Sequence, residues 1–94
     1  MTLYVDIDGT LTDSSTRGGR PIEERVARVR REIERGRDVV LWSATGREYA
    51  ERFARENGLT PLACLAKPDI CVDDCQTVRK RGLTVVDPKT FFKT

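Results

Sequence analysis

Histidine is missing from this 94-residue chain, and cysteine occurs only three times. The three thiols, Cys64, Cys71 and Cys75, have neither a histidine nor a fourth thiol with which to complete a zinc site. No apolar run approaches the length that spans a membrane, and the N-terminal residues lack the pattern of a signal peptide. These absences predict a cytoplasmic protein with reduced thiols and no membrane partner.

The chain also lacks a strong excess of charge of either sign. Its net charge is +2, from 17 basic and 15 acidic residues, and this balance does not require a nucleic-acid partner. With 34% charged and 38% hydrophobic residues, the composition is that of a globular protein. The length predicts a single domain over residues 1–94 with one modest core.

Strand and helix patterns alternate along the sequence. Short apolar runs predict strands over residues 3–5, 39–42, 61–65, 70–72 and 83–86. Helical spacing of apolar residues predicts one helix opened by Pro21 and a second opened by a capping box of Thr45 and Glu48. A short third helix is predicted over residues 76–81. This order predicts an α/β fold, a three-layer α/β/α sandwich around a Rossmann-like parallel sheet.

The most informative stretch is Asp6-Ile7-Asp8-Gly9-Thr10, which directly follows the first predicted strand. In an open parallel sheet, ligands bind beyond the carboxyl ends of the strands. The carboxylates of Asp6 and Asp8 are therefore expected to converge on one ligand. The alternative is a solvated turn, because Asp-Gly is a favoured turn dipeptide.

Other polar residues fall at the ends of later predicted strands. Ser43 ends the second strand, Lys67 precedes the fourth, and Asp73 and Asp74 end the fourth. Four carboxylates at close quarters need a counter-charge, and Mg²⁺ suits a site of a few carboxylates, water and phosphate. Ser43 offers a hydrogen-bond donor and Lys67 a positive charge to a tetrahedral anion. Together these groups are typical of a phosphoryl-transfer site.

These motifs resemble the haloacid dehalogenase superfamily, in its phosphatase branch. The acid stretch matches that family's first motif, Ser43 the second, Lys67 the third, and the pair Asp73-Asp74 the fourth. The resemblance covers residues 3–86. It implies a phosphomonoester hydrolase, because a carboxylate stands at position 8 where the dehalogenases lack one and the transport ATPases carry threonine.

The resemblance also implies a role for each matching residue. Asp6 would attack phosphorus to form an aspartyl phosphate, and Asp8 would serve as general acid and then general base. Mg²⁺ would be held by Asp6, the Asp8 main-chain carbonyl and Asp73, with Asp74 acting through water or orienting a neighbour. Phosphate would be bound by Gly9, Thr10, Ser43, Arg47 and Lys67.

The connections in this chain are short for that family. Neither the loop before Pro21 nor the segment before residue 70 has room for a cap domain, which predicts an open site. Lys67 must then enter from a tight turn, and Lys80 and Arg47 are alternative cations. Arg17 and Arg20 on the first loop are candidates to meet an anion, or are simply solvated.

Three functional hypotheses follow. An open site favours a large phosphorylated substrate such as a nucleic-acid 3′-phosphate. A phosphosugar or other small metabolite is the alternative if an oligomer closes the site, with Phe91-Phe92 as a candidate contact. The third is a non-catalytic phosphate-binding module on the same fold. The arginines of the first helix alternate with acids, which favours a solvated face over a nucleic-acid patch.

Overall fold

The computed structural model describes residues 1–72, 74 and 84–93. Its strands and helices alternate along the first two thirds of the chain, as the sequence predicts. In chain order the elements are β1 Thr2–Asp6, α1 Glu23–Glu34, β2 Asp38–Ser43, α2 Arg47–Glu56, β3 Ala63–Ala66 and α3 Pro88–Phe91. None of the described helices is long and apolar enough to cross a membrane.

The three strands form one parallel sheet in the order β1-β2-β3. Val5 pairs with Leu41, and Leu41 pairs with Cys64, so the strands run side by side with their carboxyl ends at one edge. At that edge Asp6 lies beside Trp42, and Ser43 lies beside Ala66. The parallel α/β arrangement predicted from the sequence is therefore confirmed.

The hydrophobic core lies on one face of the sheet. Strand side chains alternate between faces, so Val5, Val39 and Leu41 point the same way and are all buried. The apolar stripes predicted for the first two helices pack against them, which confirms those predictions; the buried members are Val26, Val29, Ala50, Phe53 and Ala54. Phe92, just after α3, packs against the same cluster. The described helices thus lie on this face, and Tyr4 and Leu65 on the opposite face are exposed.

A tight turn follows β1 and sets the position of the acid motif. The Ile7 carbonyl accepts hydrogen bonds from three successive backbone N–H groups, those of Thr10, Leu11 and Thr12, at 3.1, 2.8 and 3.1 Å. Gly9 has φ +78°, and a Cβ at this position would lie 3.3 Å from the Ser15 backbone. The turn therefore requires glycine directly after Asp8.

The structure corrects the strands predicted for the last third. Residues 70–72 are not a strand, and Ile70 and Val72 are 84% and 97% exposed. Residues 84–86 are not a strand either, and they lead into α3. The Asp87 carboxylate caps α3 by accepting a hydrogen bond from the Lys89 N–H at 2.9 Å. Apolar runs this short do not specify a strand without a neighbouring strand to pair with. The helix predicted over 76–81 lies outside the described residues.

Two helix starts also differ from prediction. α1 begins at Glu23, because Pro21 instead forms a bridge with Thr12. α2 begins at Arg47 with Gly46 as its N-cap, and no side chain caps it. The predicted capping box is therefore wrong, since the Thr45 hydroxyl is directed at Asp8 and not at the helix backbone.

Candidate active site

The carboxyl ends of the strands bring the predicted acids and the predicted lysine together. β1 ends at Asp6, and the turn that follows carries Asp8. Lys67 comes one residue after β3, where its N–H donates to the Ser43 carbonyl at 3.0 Å. This backbone bond extends the pairing of β2 and β3 and directs Lys67 back over the sheet towards β1.

Asp6 is held by two different groups. The Lys67 ammonium lies 3.0 Å from Asp6 Oδ1, and the Thr10 hydroxyl donates to Asp6 Oδ2 at 2.9 Å. The side chains of Asp6 and Lys67 remain 31% and 37% exposed. The carboxylate is thus oriented and partly neutralised, yet it stays accessible to a ligand.

Asp8 is contacted by a residue in the first turn of α2 and by Thr45, two residues before that helix. The Tyr49 hydroxyl donates to Asp8 Oδ1 at 2.6 Å, a short hydrogen bond, and the Thr45 hydroxyl lies 3.5 Å from Oδ2. Burial of the ring, together with the hydrogen bond to Asp8 and the charge of Asp8, raises the pKa of Tyr49 to about 12. Tyr49 therefore keeps its proton at neutral pH and acts on Asp8 as a hydrogen-bond donor.

The first loop folds over towards Tyr49. The Arg17 guanidinium lies 5.9 Å from the centre of the Tyr49 ring, and the Gly18 backbone and the Arg17 charge partly oppose the rise in the pKa of Tyr49. Arg17 itself is exposed. Of the two arginines predicted on this loop, Arg17 is the one that the structure brings next to a residue in contact with Asp8.

Ser43 and Arg47 are placed differently from the acids. Ser43 is buried, and its hydroxyl accepts the Thr45 N–H at 3.0 Å, so it braces the connection from β2 to α2. Arg47 is largely exposed and forms a loose ion pair with Glu51 at 3.6 Å. It still lines an open depression of about 490 Å³ whose other lining residues are Thr45, Gly46, Glu48, Tyr49 and Ala66. The depression therefore adjoins the two residues that contact Asp8.

The predicted metal ligands are only partly described. Asp73 and the alternative cation Lys80 lie outside the described residues, and Asp74 is exposed. Within the described part of the chain, no three acidic, cysteine or histidine residues cluster closely enough to share a metal. Asp6 and Asp8 nevertheless supply oxygen donors of the type that Mg²⁺ prefers, and Mg²⁺ is commonly bound by only one or two protein carboxylates.

Sequence reasoning missed Tyr49 and Thr45 as contacts of Asp8. Tyr49 fits the apolar face of α2 by its spacing, and Thr45 fits a helix cap, so each had a simpler explanation. The position of Tyr49 could have indicated this contact, because the first turn of a helix that follows β2 must lie near the carboxyl ends of the strands. A tyrosine there has a hydroxyl that needs a hydrogen-bond partner.

Comparison with known proteins adds no relative. No protein-family model matches the chain, and neither the curated proteins nor the solved structures include one that matches it. The chemistry inferred for this site therefore depends on the contacts of Asp6 and Asp8 described above.

Proposed function

We propose that this protein is a Mg²⁺-dependent phosphomonoester hydrolase that acts through an aspartyl-phosphate intermediate, on a fold of the haloacid dehalogenase type with three layers. The observation that carries the proposal is the contact of Lys67 with Asp6, at 3.0 Å, at the carboxyl edge of a parallel sheet. A carboxylate next to a cation, accessible to solvent and two residues before a second oriented carboxylate, is suited to attack an anionic phosphoryl group.

The first half-reaction uses both acids. An Asp6 oxygen forms a bond to phosphorus while the bond from phosphorus to the leaving oxygen breaks, and Asp8 transfers its proton to that oxygen. Lys67 offsets the repulsion between the Asp6 carboxylate and the phosphoryl oxygens. The Thr10 hydroxyl, bonded to Asp6 Oδ2 at 2.9 Å, fixes the orientation of the attacking group.

The second half-reaction regenerates the enzyme. A water oxygen attacks the phosphorus of the aspartyl phosphate, Asp8 accepts the proton of that water, and the bond from phosphorus to Asp6 breaks to release inorganic phosphate. The Tyr49 hydroxyl holds Asp8 through a 2.6 Å hydrogen bond and so keeps it in one orientation for both transfers.

Mg²⁺ would supply charge neutralisation for the phosphoryl oxygens when bound. The residues that would hold it are Asp6, the Asp8 main-chain carbonyl and, from the family resemblance, Asp73 and Asp74. The pairing of Asp6 with Lys67 and Thr10 is compatible with this role, since a carboxylate has about four sites for accepting interactions.

The test is phosphate release from a panel of phosphomonoesters, with Mg²⁺ and with EDTA. The panel contains an aryl phosphate, a nucleoside monophosphate, a 3′-phosphorylated oligonucleotide and a phosphosugar. We expect turnover that needs Mg²⁺ and is abolished in Asp6→Asn. Trapping of acid-stable radiolabel on the wild-type protein, but not on Asp6→Asn, would identify the covalent intermediate.

The panel also separates the alternatives. A strong preference for the phosphosugar, in a protein that sediments as an oligomer, would replace the large substrate with a small metabolite. Phosphate binding by calorimetry without turnover of any substrate would show a non-catalytic phosphate-binding module and would refute hydrolysis.

A further inference from the structure

A basic groove lies between α1 and the C-terminal segment that contains α3. Its volume is about 440 Å³, and its lining shares no residue with the site at Asp6 and Asp8. Five cations line it: Arg25, Arg28, Arg31, Lys89 and Lys93. The lining contains a single carboxylate, that of Glu24, and one aromatic ring, that of Phe92.

Three of the five cations come from one side of α1. Arg25, Arg28 and Arg31 are three residues apart, so they lie along one side of α1. Glu32, an acid that follows this stretch in α1, is buried and bonded to Arg28 at 2.9 Å and Arg37 at 3.2 Å. Of the acids of α1, Glu24 lines the groove and Glu32 pairs with Arg28, so the five cations outnumber these two carboxylates.

Two of the arginines hold the groove together. The Arg25 guanidinium lies 5.1 Å from the centre of the Phe92 ring, and the Arg28 guanidinium lies 4.9 Å from the centre of the Phe91 ring. Such cation–π contacts fasten the C-terminal segment to α1. These two arginines therefore have a structural role whether or not the groove binds a ligand.

The other three cations have no such role. The side chains of Arg31, Lys89 and Lys93 are exposed, and within the described residues they make no hydrogen bond or ion pair. Cations that converge on one concave surface repel one another unless an anion lies between them. This feature points to an anionic ligand.

We propose that the groove binds the phosphodiester backbone of a nucleic-acid strand. The arginine stripe from Arg25 to Arg31 extends about 9 Å at the rise of an α-helix, a length comparable with the axial rise over two or three phosphates of one strand of a nucleic-acid helix, about 3.4 Å each. A linear array of cations matches a linear polyanion better than a single small anion. The partly exposed ring of Phe92 adds an apolar surface against which a base can pack.

The groove also adjoins the acid motif. Arg25 Nη1 donates to the Thr10 carbonyl at 2.9 Å, and the Thr10 hydroxyl in turn donates to Asp6 at 2.9 Å. Binding in the groove does not depend on hydrolysis at Asp6. If the proposed hydrolysis also holds, the groove is where the rest of a polymeric substrate binds.

The experiment measures the fluorescence anisotropy of a labelled single-stranded oligonucleotide with a free 3′-hydroxyl, titrated with the full chain over a salt series. Lys89→Glu/Lys93→Glu alters the groove, and Arg35→Glu/Arg55→Glu makes the same change in net charge at exposed positions elsewhere. We expect the groove variant to raise Kd at least tenfold and the control less than threefold. Loss of two phosphate contacts should also lower the slope of log K against log salt by about 1.4 for a single strand.

Circular dichroism melts identify a variant that is misfolded, and Lys89→Gln/Lys93→Gln then takes its place with an intermediate effect on Kd. Equal weakening by the groove and control variants would refute the groove and indicate attraction by net charge alone. Displacement of the oligonucleotide by polyglutamate at equal charge concentration would refute the nucleic-acid assignment in favour of an acidic protein. Binding to phosphatidylserine vesicles without binding to the oligonucleotide would refute it in favour of a membrane surface. Because the probe has no phosphomonoester, failure of hydrolysis leaves this result unaffected.

Discussion

Two carboxylates in this molecule make contacts of nearly equal length with a cation, yet their surroundings differ. Asp6 lies 3.0 Å from Lys67, and Glu32 lies 2.9 Å from Arg28. The Glu32 side chain is only 8% exposed and has a second arginine, Arg37, at 3.2 Å. The Asp6 side chain is 31% exposed and has one lysine, itself 37% exposed.

The difference distinguishes a buried ion pair from one that a ligand can reach. The hydrogen bond from Arg28, with the positive charges of Arg37, Arg28 and Arg35, holds the pKa of Glu32 below its ordinary value of 4.5, although burial opposes the shift. Glu32 is buried between its two arginine partners, which leaves little of the carboxylate exposed to a ligand. Asp6 is contacted on both oxygens, by Lys67 and Thr10, yet nearly a third of its side chain stays exposed to a ligand. The distance to the cation alone does not reveal this distinction.

The largest expected effect comes from removing the charge of Asp6. Asp6→Asn should reduce turnover of an aryl phosphate by at least about a thousandfold, since the covalent route is lost. The melting temperature should change little, because the substitution is nearly isosteric and the side chain is partly exposed. Glu32→Gln is the matched control and should retain turnover at temperatures where it is folded. Near-wild-type activity of Asp6→Asn would show that Asp6 is not the nucleophile.

Lys67→Met should lower kcat/KM by about a hundredfold, the size of effect expected when one group that stabilises developing charge is lost. Methionine keeps an apolar stem next to Trp42, whose ring centre lies 5.7 Å from the lysine nitrogen, so the fold should persist. Lys89→Met, an exposed lysine in the groove, should leave turnover of a small aryl phosphate unchanged. Equal losses in the two variants would show that the lysine at position 67 has no special place in the site.

Glu32→Gln should act on stability and not on chemistry. The change leaves Arg28 and Arg37 without their carboxylate partner, and we expect a loss of about 2 kcal/mol in the free energy of unfolding at pH 7. Urea titrations of the two proteins measure this difference. A loss of less than about 0.5 kcal/mol would mean that the pair is no better than an ordinary surface ion pair.

The pH dependence of that loss follows from the direction of the pKa shift. The pKa of Glu32 is lower in the folded state than in the unfolded state, so the carboxylate contributes its stability above the unfolded value of about 4.5. The contribution disappears as pH falls through the folded pKa. The difference between wild type and Glu32→Gln should therefore be full at pH 7 and shrink below about pH 4.5. A difference that stays constant into acid would contradict the ion-pair explanation.

The sequence predicted the part of the fold in which apolar periodicity and local signals agree. The apolar stripes of α1 and α2 and the apolar runs of β1 and β2 all form the elements that they predict. The runs at 70–72 and 83–86 have three and four residues, no fewer than the run 3–5 that lies in β1, and a short strand exists only if another strand pairs with it, as β2 does with β1. A pattern of this length contains no information about that partner.

The candidate site likewise contains one contact that the sequence predicted and one that it did not. The meeting of Asp6 with Lys67 was anticipated from the family motifs, with Lys67 placed just before the fourth predicted strand; in the structure Lys67 instead follows β3, and both residues come at the carboxyl ends of strands. The role of Tyr49 was not, because its spacing on α2 is that of an apolar residue and its hydroxyl is invisible to such a pattern. The 2.6 Å hydrogen bond from Tyr49 to Asp8 depends on how α2 lies across the sheet, which is a property of the folded molecule.

Tyr49→Phe gives the smallest of these effects and the most specific test of the site. The change removes one hydroxyl and leaves the ring, so packing on α2 is preserved while Asp8 loses its shortest hydrogen bond. Asp8 matters most when the leaving group needs a proton. We therefore expect turnover of an alkyl phosphate to fall about tenfold, or about 1.4 kcal/mol, and turnover of p-nitrophenyl phosphate to fall much less, because nitrophenolate leaves readily without a proton.

Tyr4→Phe is the matched control, since Tyr4 is exposed on the opposite face of the sheet and contacts Trp42 but neither acid. It should leave both substrates unaffected. An equal fall for the two phosphates in Tyr49→Phe would mean that the hydroxyl supports the site as a whole and does not orient the proton donor. A larger fall for the poor leaving group, at an unchanged melting temperature, would separate the role of Tyr49 at Asp8 from that of Lys67 at Asp6. Substitution of Lys67 should lower the turnover of both substrates by a similar factor.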